Sequence, residues 1–154
     1  MSVAFRRESD EEHLEPKFEL PLPPGPNLVT PRGLALIEAR NAELVVAIAA
    51  ATPEQLPELQ RDQRYWRARL ATALLAPPPS GEIVAFGTAV TISQNGKTRT
   101  LDIVGHDESE PAAGRIAFTA PLAKALIGSE IGEEVVPPGP GGPIAIVAIE
   151  VRAD

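Results

Sequence analysis

Seventeen of the 154 residues are proline, and they are clustered. Proline has no main-chain N–H and fixes φ, so helix interiors and central strands exclude it. Clusters at 16–31, at 53 and 57, at 77–79 and at 137–143 therefore mark where regular structure must stop. They divide the chain into an arm (1–29), a middle segment (30–76), a proline linker (77–81) and a C-terminal segment (82–154).

What lies between the breaks is rich in small aliphatics. There are 23 alanines, and only 4% of residues are aromatic. The chain has no cysteine, which excludes a disulfide framework, a thiolate nucleophile and Cys-ligated zinc or iron–sulfur sites. Two histidines, His13 and His106, are too few for a multi-histidine metal centre, so no metal site and no cofactor is expected. No apolar run approaches the roughly 18 residues of a membrane span, and MSVAFRRESDEEH lacks the apolar stretch of a signal peptide. A cytoplasmic protein without membrane contact is expected. The formal net charge of −7 argues against autonomous nucleic-acid binding.

The arm carries six acids against Arg6, Arg7 and Lys17. Its later part, EPKFELPLPPGPN, favours extended, polyproline-like backbone. A mobile acidic, proline-rich arm is expected, with Phe5, Phe18, Leu20 and Leu22 as the side chains by which it would dock.

The middle segment reads as a helical hairpin. Thr30 is a good N-cap, and Pro31 suits the first helical position. Leu34, Ile37, Asn41, Leu44 and Ile48 then form one helical stripe. Leu56, Leu59, Gln63, Trp66, Leu70 and Ala73 form a second. Between them Thr52-Pro53-Glu54-Gln55 has the form of a capping box, with Pro57 set to delay or bend the second helix. Folding the chain back near Thr52 sets Ile48 on Leu56, Leu44 on Leu59 and Ile37 on Trp66, as an antiparallel two-helix coiled coil requires. The same pairing sets Asn41 on Gln63 and predicts that these two polar residues fix the register. Arg61, Arg64, Arg67 and Arg69 form a basic strip on the second helix. Such a strip is ordinarily a solvated face; the other reading is a surface for an acidic partner.

The C-terminal segment reads as a small antiparallel β domain with one helix, an α+β fold overall. Asn95-Gly96 is a strong hairpin signal because both positions need positive φ. Centring the turn there pairs Ile92 with Arg99 and Val90 with Leu101, and puts Phe86, Val90, Leu101 and Ile103 on one face. RIAFTA is a short strand. PLAKALIG is a helix opened by Pro121 and closed by Gly128. GEEVV and PIAIVAIEV are the last strands.

Several of these segments carry a specific pattern. Phe118 to Gly128, read FTAPLAKALIG, with Ile131-Gly132-Glu133 and Gly141-Gly142 beyond it, resembles the C-terminal domain of the bacterial transcript-cleavage factors GreA and GreB. That family reads S-P-x-A-R-A-L-x-G-K-x-x-G-D and later P-G-G. Ile103-Val104-Gly105 with Asp107-Glu108 is similar to its I-V-G-x-D-E, and Asn27-Leu28-Val29-Thr30-Pro31-Arg32-Gly33 to its N-x-x-T-P-x-G. The resemblance runs through residues 27–151 in the same order. It implies an N-terminal antiparallel coiled coil and an FKBP-like C-terminal domain. It also implies RNA polymerase as partner, with the C-terminal domain on the rim of the secondary channel and the coiled coil inside it.

By the same resemblance the rim-contacting loop falls on Thr119, Ala120 and Pro121. Alanine at 120 replaces the family's serine and removes a hydroxyl. Cleavage-competent members carry an acidic D-x-x-E-N tip that helps hold a second Mg²⁺ in the polymerase active site. Here the hairpin is shorter and its tip reads Ala49-Ala50-Ala51-Thr52-Pro53, with Glu54, Glu58 and Asp62 on the second helix. A helical row of carboxylates points sideways, whereas a hard cation needs converging oxygens.

The resulting expectation is a non-enzymatic, polymerase-binding regulator of elongation without cleavage stimulation. A short-hairpin group described as regulators of nucleoside diphosphate kinase shares the layout. One alternative is a cleavage-stimulating factor that uses Glu54 and Glu58. A remote one is an FKBP-like prolyl isomerase or chaperone module; but fold does not carry function, and 82–154 holds only Phe86 and Phe118 as aromatics.

Overall fold

The computed structural model describes residues 19–152. They fall into two units: one takes 19–25 and Ile37–Thr72, the other Pro26–Leu36 and 73–152.

The first unit is a helical hairpin. Helix α1 spans Pro31–Ala49, and from Ile37 onward it belongs to this unit. Helix α2 spans Leu56–Thr72. The expected start at Thr52 is delayed, because Thr52–Gln55 form a turn whose Thr52 carbonyl accepts from the Gln55 and Leu56 N–H groups. Pro57 then falls in the first turn of α2, where its missing N–H is harmless. Half of the expected capping box is made: Thr52 N–H donates to Gln55 Oε1 at 3.0 Å.

The apolar stripes are largely as read. Ile37 is buried; Leu44, Ile48, Leu56, Leu59 and Trp66 are half-buried; Leu70 is exposed. The polar anchor differs from the expected one. Asn41 Nδ2 donates to Ile37 O at 2.9 Å and to Trp66 O at 3.0 Å. The α1–α2 tie is therefore Asn41 on a main-chain carbonyl, rather than Asn41 on the Gln63 carboxamide. The basic strip also loses a member. Arg69 is buried, with its guanidinium carbon 6.0 Å from the Tyr65 ring centre.

The second unit is built on a five-stranded sheet in the order β5-β4-β3-β7-β6. Its strands are β3 (Thr88–Gln94), β4 (Lys97–Val104), β5 (Arg115–Ala117), β6 (Glu134–Val135) and β7 (Ile144–Val151). The β3–β4 hairpin has the expected register, Gln94 with Lys97, Ile92 with Arg99 and Val90 with Leu101. Asn95 and Gly96 take φ of 54° and 77°, the left-handed backbone such a turn needs. The sheet is mixed, however, and not purely antiparallel. The polar loop after β4 brings β5 back parallel to it, pairing Ile103 with Ile116.

Helix α3 (Pro121–Leu126) covers the sheet with Ala123 and Leu126, both fully buried. They join Val84, Val90, Ile92, Leu101, Ile103, Ile116, Ile144 and Ile146 in one core. Burying each large aliphatic contributes about 1.5–3 kcal/mol. Phe86 and Phe118 meet edge to face at its margin, with ring centres 5.4 Å apart.

A second, two-stranded sheet was not anticipated. Strand β1 (Asn27–Val29) pairs in parallel with β2 (Ala73–Leu75). The end of the expected arm and the end of the expected hairpin segment 30–76 are thus strands of the C-terminal unit. The helical part of that segment is Pro31–Thr72.

Candidate functional site

The rim loop, Thr119-Ala120-Pro121, is the turn between β5 and α3. Phe118 N–H donates to Val104 O at 2.9 Å and Ala120 N–H to Ala117 O at 2.9 Å, which holds the loop against β4. Ala120 is the N-cap of α3, with extended φ and ψ of −68° and 148° and no side-chain cap. Pro121 opens the helix, as its fixed φ favours. Thr119 and Pro121 are exposed and Ala120 half-buried. The turn therefore presents a methyl group and a rigid ring, with one hydroxyl at Thr119.

The hairpin tip carries the other residues marked by sequence. Thr52, Pro53, Glu54 and Glu58 are all exposed. The carboxylates do not converge. Arg61 lies on helix α2 between two of them, 3.7 Å from Glu58 and 3.0 Å from Asp62. Glu58 and Asp62 are therefore already partnered by a guanidinium, while Glu54 lies not on α2, as expected, but in the turn before it. Among the described residues, no three His, Asp or Glu side chains are grouped to hold a metal ion. This donor set does not fit a hard divalent cation, which needs several free oxygens on one point.

The remaining cations of α2 are differently engaged. Arg64 makes a two-pronged pair with Glu19, Nε to Oε1 and Nη2 to Oε2, both at 2.8 Å. That hydrogen-bonded pairing holds the Glu19 carboxyl below the usual glutamate range and raises the Arg64 guanidinium. Arg67 is exposed; on α1, Arg40 lies 5.9 Å from the Trp66 ring centre.

One buried constellation was not singled out from sequence. Glu108, on the 3-10 turn His106–Glu108, is buried in the C-terminal unit. Its Oε1 accepts from Thr30 Oγ1 at 2.5 Å, and its Oε2 from Arg32 at 3.0 Å. Thr30 Oγ1 in turn accepts from Gly33 N–H at 2.9 Å, so the N-cap of α1 is tied to the loop after β4. The only signal was positional: Thr30-Pro31 and Asp107-Glu108 each sit in a matched family pattern.

These features define a two-unit α+β protein whose marked residues lie on an exposed turn and an exposed hairpin tip. Residues 79–152 match the family model described as "Transcription elongation factor, GreA/GreB, C-term". The transcription elongation factor GreA of Pseudomonas aeruginosa is 36% identical over 108 residues, covering 66% of this chain and 68% of that protein. GreA of Acidiphilium cryptum is 43% identical over 75 residues, 47% of this chain and 48% of that one. GreA of Bacillus anthracis is 39% identical over 72 residues, 46% of each chain. The chain belongs to the GreA/GreB family of transcription elongation factors. It spans about two thirds of the Pseudomonas relative and about half the length of the other two. A solved structure, the GreA factor homolog 1 (Gfh1) of Thermus thermophilus, covers 81% of this chain and 99% of its own. At 18% identity and a TM-score of 0.41, that likeness is too loose to carry an argument. No described helix is long and apolar enough to cross a membrane.

Proposed function

We propose that this chain binds RNA polymerase at the rim of the secondary channel through the Thr119-Ala120-Pro121 turn, and regulates elongation there without stimulating transcript cleavage. Membership of the GreA/GreB family supports the partner and the process. The observation that carries the absence of cleavage is the tip. Three alanines, Thr52, Pro53 and a single acid, Glu54, occupy it, and Arg61 neutralises the nearest acids on α2, Glu58 and Asp62. No step through a tip-held metal follows from such a donor set. In this reading the protein is not itself an enzyme; it occupies the channel and excludes other factors. Nucleic acid is not an autonomous ligand, since 82–154 is acidic and two of the α2 cations, Arg61 and Arg64, are already paired.

The test uses stalled, backtracked elongation complexes with Mg²⁺. The expected result is co-purification of the chain with core polymerase, no shortening of the nascent RNA, and slower cleavage by an added GreA. RNA shortening that disappears in Glu54→Ala or Glu58→Ala would overturn the cleavage-free reading. Peptide prolyl isomerisation that the chain accelerates would replace it with the isomerase alternative.

A further inference from the structure

The C-terminal unit has an apolar surface for which the rim turn has no use. Beyond α3 the chain runs as a strap through residues 127–136, pinned to its own unit by main-chain bonds. Gly128 N–H donates to Val84 O at 2.7 Å, and Val84 N–H to Ser129 O at 2.8 Å. Gly132 N–H donates to Ile146 O and Ile146 N–H to Glu133 O, both at 2.9 Å. Strand β6 then pairs Val135 with Ile144.

This pinning fixes the backbone and leaves Ile127, Ile131 and Val136 outside; Ile131 is 58% and Val136 79% exposed. The segments that pin the strap add exposed Ile83 and Val147. Val147 is the extra residue where the β3–β7 register slips, since Thr91 pairs with Ala148 and Ile92 with Ile146. A single exposed aliphatic is ordinary, but five on one ten-residue strap and on the two segments hydrogen-bonded to it are a concentration of the kind that marks an interaction site.

The same strap and anchor are also acidic. Glu82, Glu130, Glu133 and Glu134 are exposed, and none forms an ion pair within the described residues. Glu133 is the only one engaged, its carboxylate accepting from Glu130 N–H at 2.6 Å. This charge selects the occupant. A second copy docked face to face would set glutamate against glutamate in a chain of net charge −7. Nucleic-acid phosphates and anionic lipid headgroups are repelled for the same reason. A protein surface with aliphatic side chains set between lysines or arginines satisfies both the aliphatic side chains and the carboxylates.

We infer that the strap is a second docking face, for such a basic and aliphatic surface of RNA polymerase. This rests on the reading that polymerase is the partner. The strap begins at the end of α3 opposite Pro121, so one six-residue helix separates the two contacts.

The test is a titration of labelled full-length chain with core RNA polymerase, followed by fluorescence anisotropy. The variants are Ile131→Ser with Val136→Ser, Glu130→Lys with Glu134→Lys, and Pro121→Asp. All substituted strap residues are exposed, and thermal melts identical to the unsubstituted chain establish that they fold. The aliphatic pair is expected to weaken binding about tenfold or more. The charge reversal is expected to slow association and flatten its salt dependence. Binding by the unsubstituted chain that Pro121→Asp abolishes but both strap variants retain would overturn the strap and leave the rim turn standing. No binding by the unsubstituted chain would overturn the polymerase reading and the strap with it. A dimer in sedimentation that Ile131→Ser with Val136→Ser dissolves would assign the face to a second copy instead.

Discussion

Thr30 and Glu108, 78 positions apart, share a buried hydrogen bond in which the threonine hydroxyl donates to the carboxylate. The same hydroxyl caps α1 by accepting from Gly33 N–H. Glu108→Ala removes the acceptor of both Thr30 and Arg32, and should cost about 1–3 kcal/mol in urea unfolding. Thr30→Val loses the cap as well as the bond. Because the two residues share one contact, the double variant should be less destabilised than the sum of the singles by about 1 kcal/mol. Strict additivity would show that the contact contributes nothing.

Gly105 and Gly33 flank this constellation and test how much it can give. A Cβ on Gly105 would collide with the Leu28 carbonyl of β1, which is main chain and cannot step aside. A Cβ on Gly33 would come within 2.8 Å of Glu108 Oε1, the end of a side chain that can swing. Gly105→Ala should therefore cost about 2 kcal/mol or more and Gly33→Ala less, by the general cost of overpacking. Equal midpoints in urea for the two variants would contradict the tight seat of β1.

That seat explains what the sequence hid. The β3–β4 hairpin was legible because Asn95-Gly96 needs only its own backbone, and the α1 start because Thr30-Pro31 acts within one turn. Strands β1 and β2 have three residues each and pair in parallel across 46 positions, so neither has a local period or turn to announce it. Strand β5 gave the right strand with the wrong partner direction, because nothing within RIAFTA distinguishes parallel from antiparallel pairing. At the site, the rim turn and the tip were legible as positions. The partners of Arg61, Glu58 and Asp62, were legible as helical neighbours; the buried Glu108 was not, because its contacts depend on where side chains point after folding.

Within the hairpin, Asn41 should matter more than Gln63. Both amide hydrogens of Asn41 are taken by main-chain carbonyls, one on α1 and one on α2. Asn41→Ala should destabilise the chain by about 1 kcal/mol, the net contribution of a typical hydrogen bond with some packing loss. Gln63→Leu adds apolar area on a half-buried stripe and should be neutral or stabilising. Thermal melts of the two variants decide it, and a loss from Gln63→Leu larger than that from Asn41→Ala would contradict this ranking.

Glu19 titrates below the ordinary glutamate range because its carboxylate accepts two hydrogen bonds from Arg64. Since its folded pKa is depressed, the contact is fully present above the ordinary range. It is lost as pH falls through the lowered value. Both groups are exposed, so the effect on global stability should be small. The measurement is the carboxyl carbon shift of Glu19 against pH, in the unsubstituted chain and in Arg64→Gln. The variant should move the midpoint upward toward the ordinary value; an unmoved midpoint would remove Arg64 as its cause.

Ala120 joins the fold to the proposed function. Its backbone already has the extended geometry of an N-cap, and its carbonyl accepts the first helical bond from Lys124 N–H at 2.9 Å. Only the side-chain acceptor is missing, in a helix of six residues that gains little from its own propagation. Ala120→Ser places a hydroxyl where it accepts from the Ala123 N–H, and should stabilise the chain by about 0.5–1 kcal/mol. The same hydroxyl stands on the turn assigned to the polymerase rim, beside exposed Thr119 and Pro121. If that turn is the contact, Ala120→Ser should change polymerase affinity as well as the urea midpoint, and Pro121→Asp should cancel the affinity effect. A rise in stability with no change in binding would confine Ala120 to capping and move the contact elsewhere on the unit.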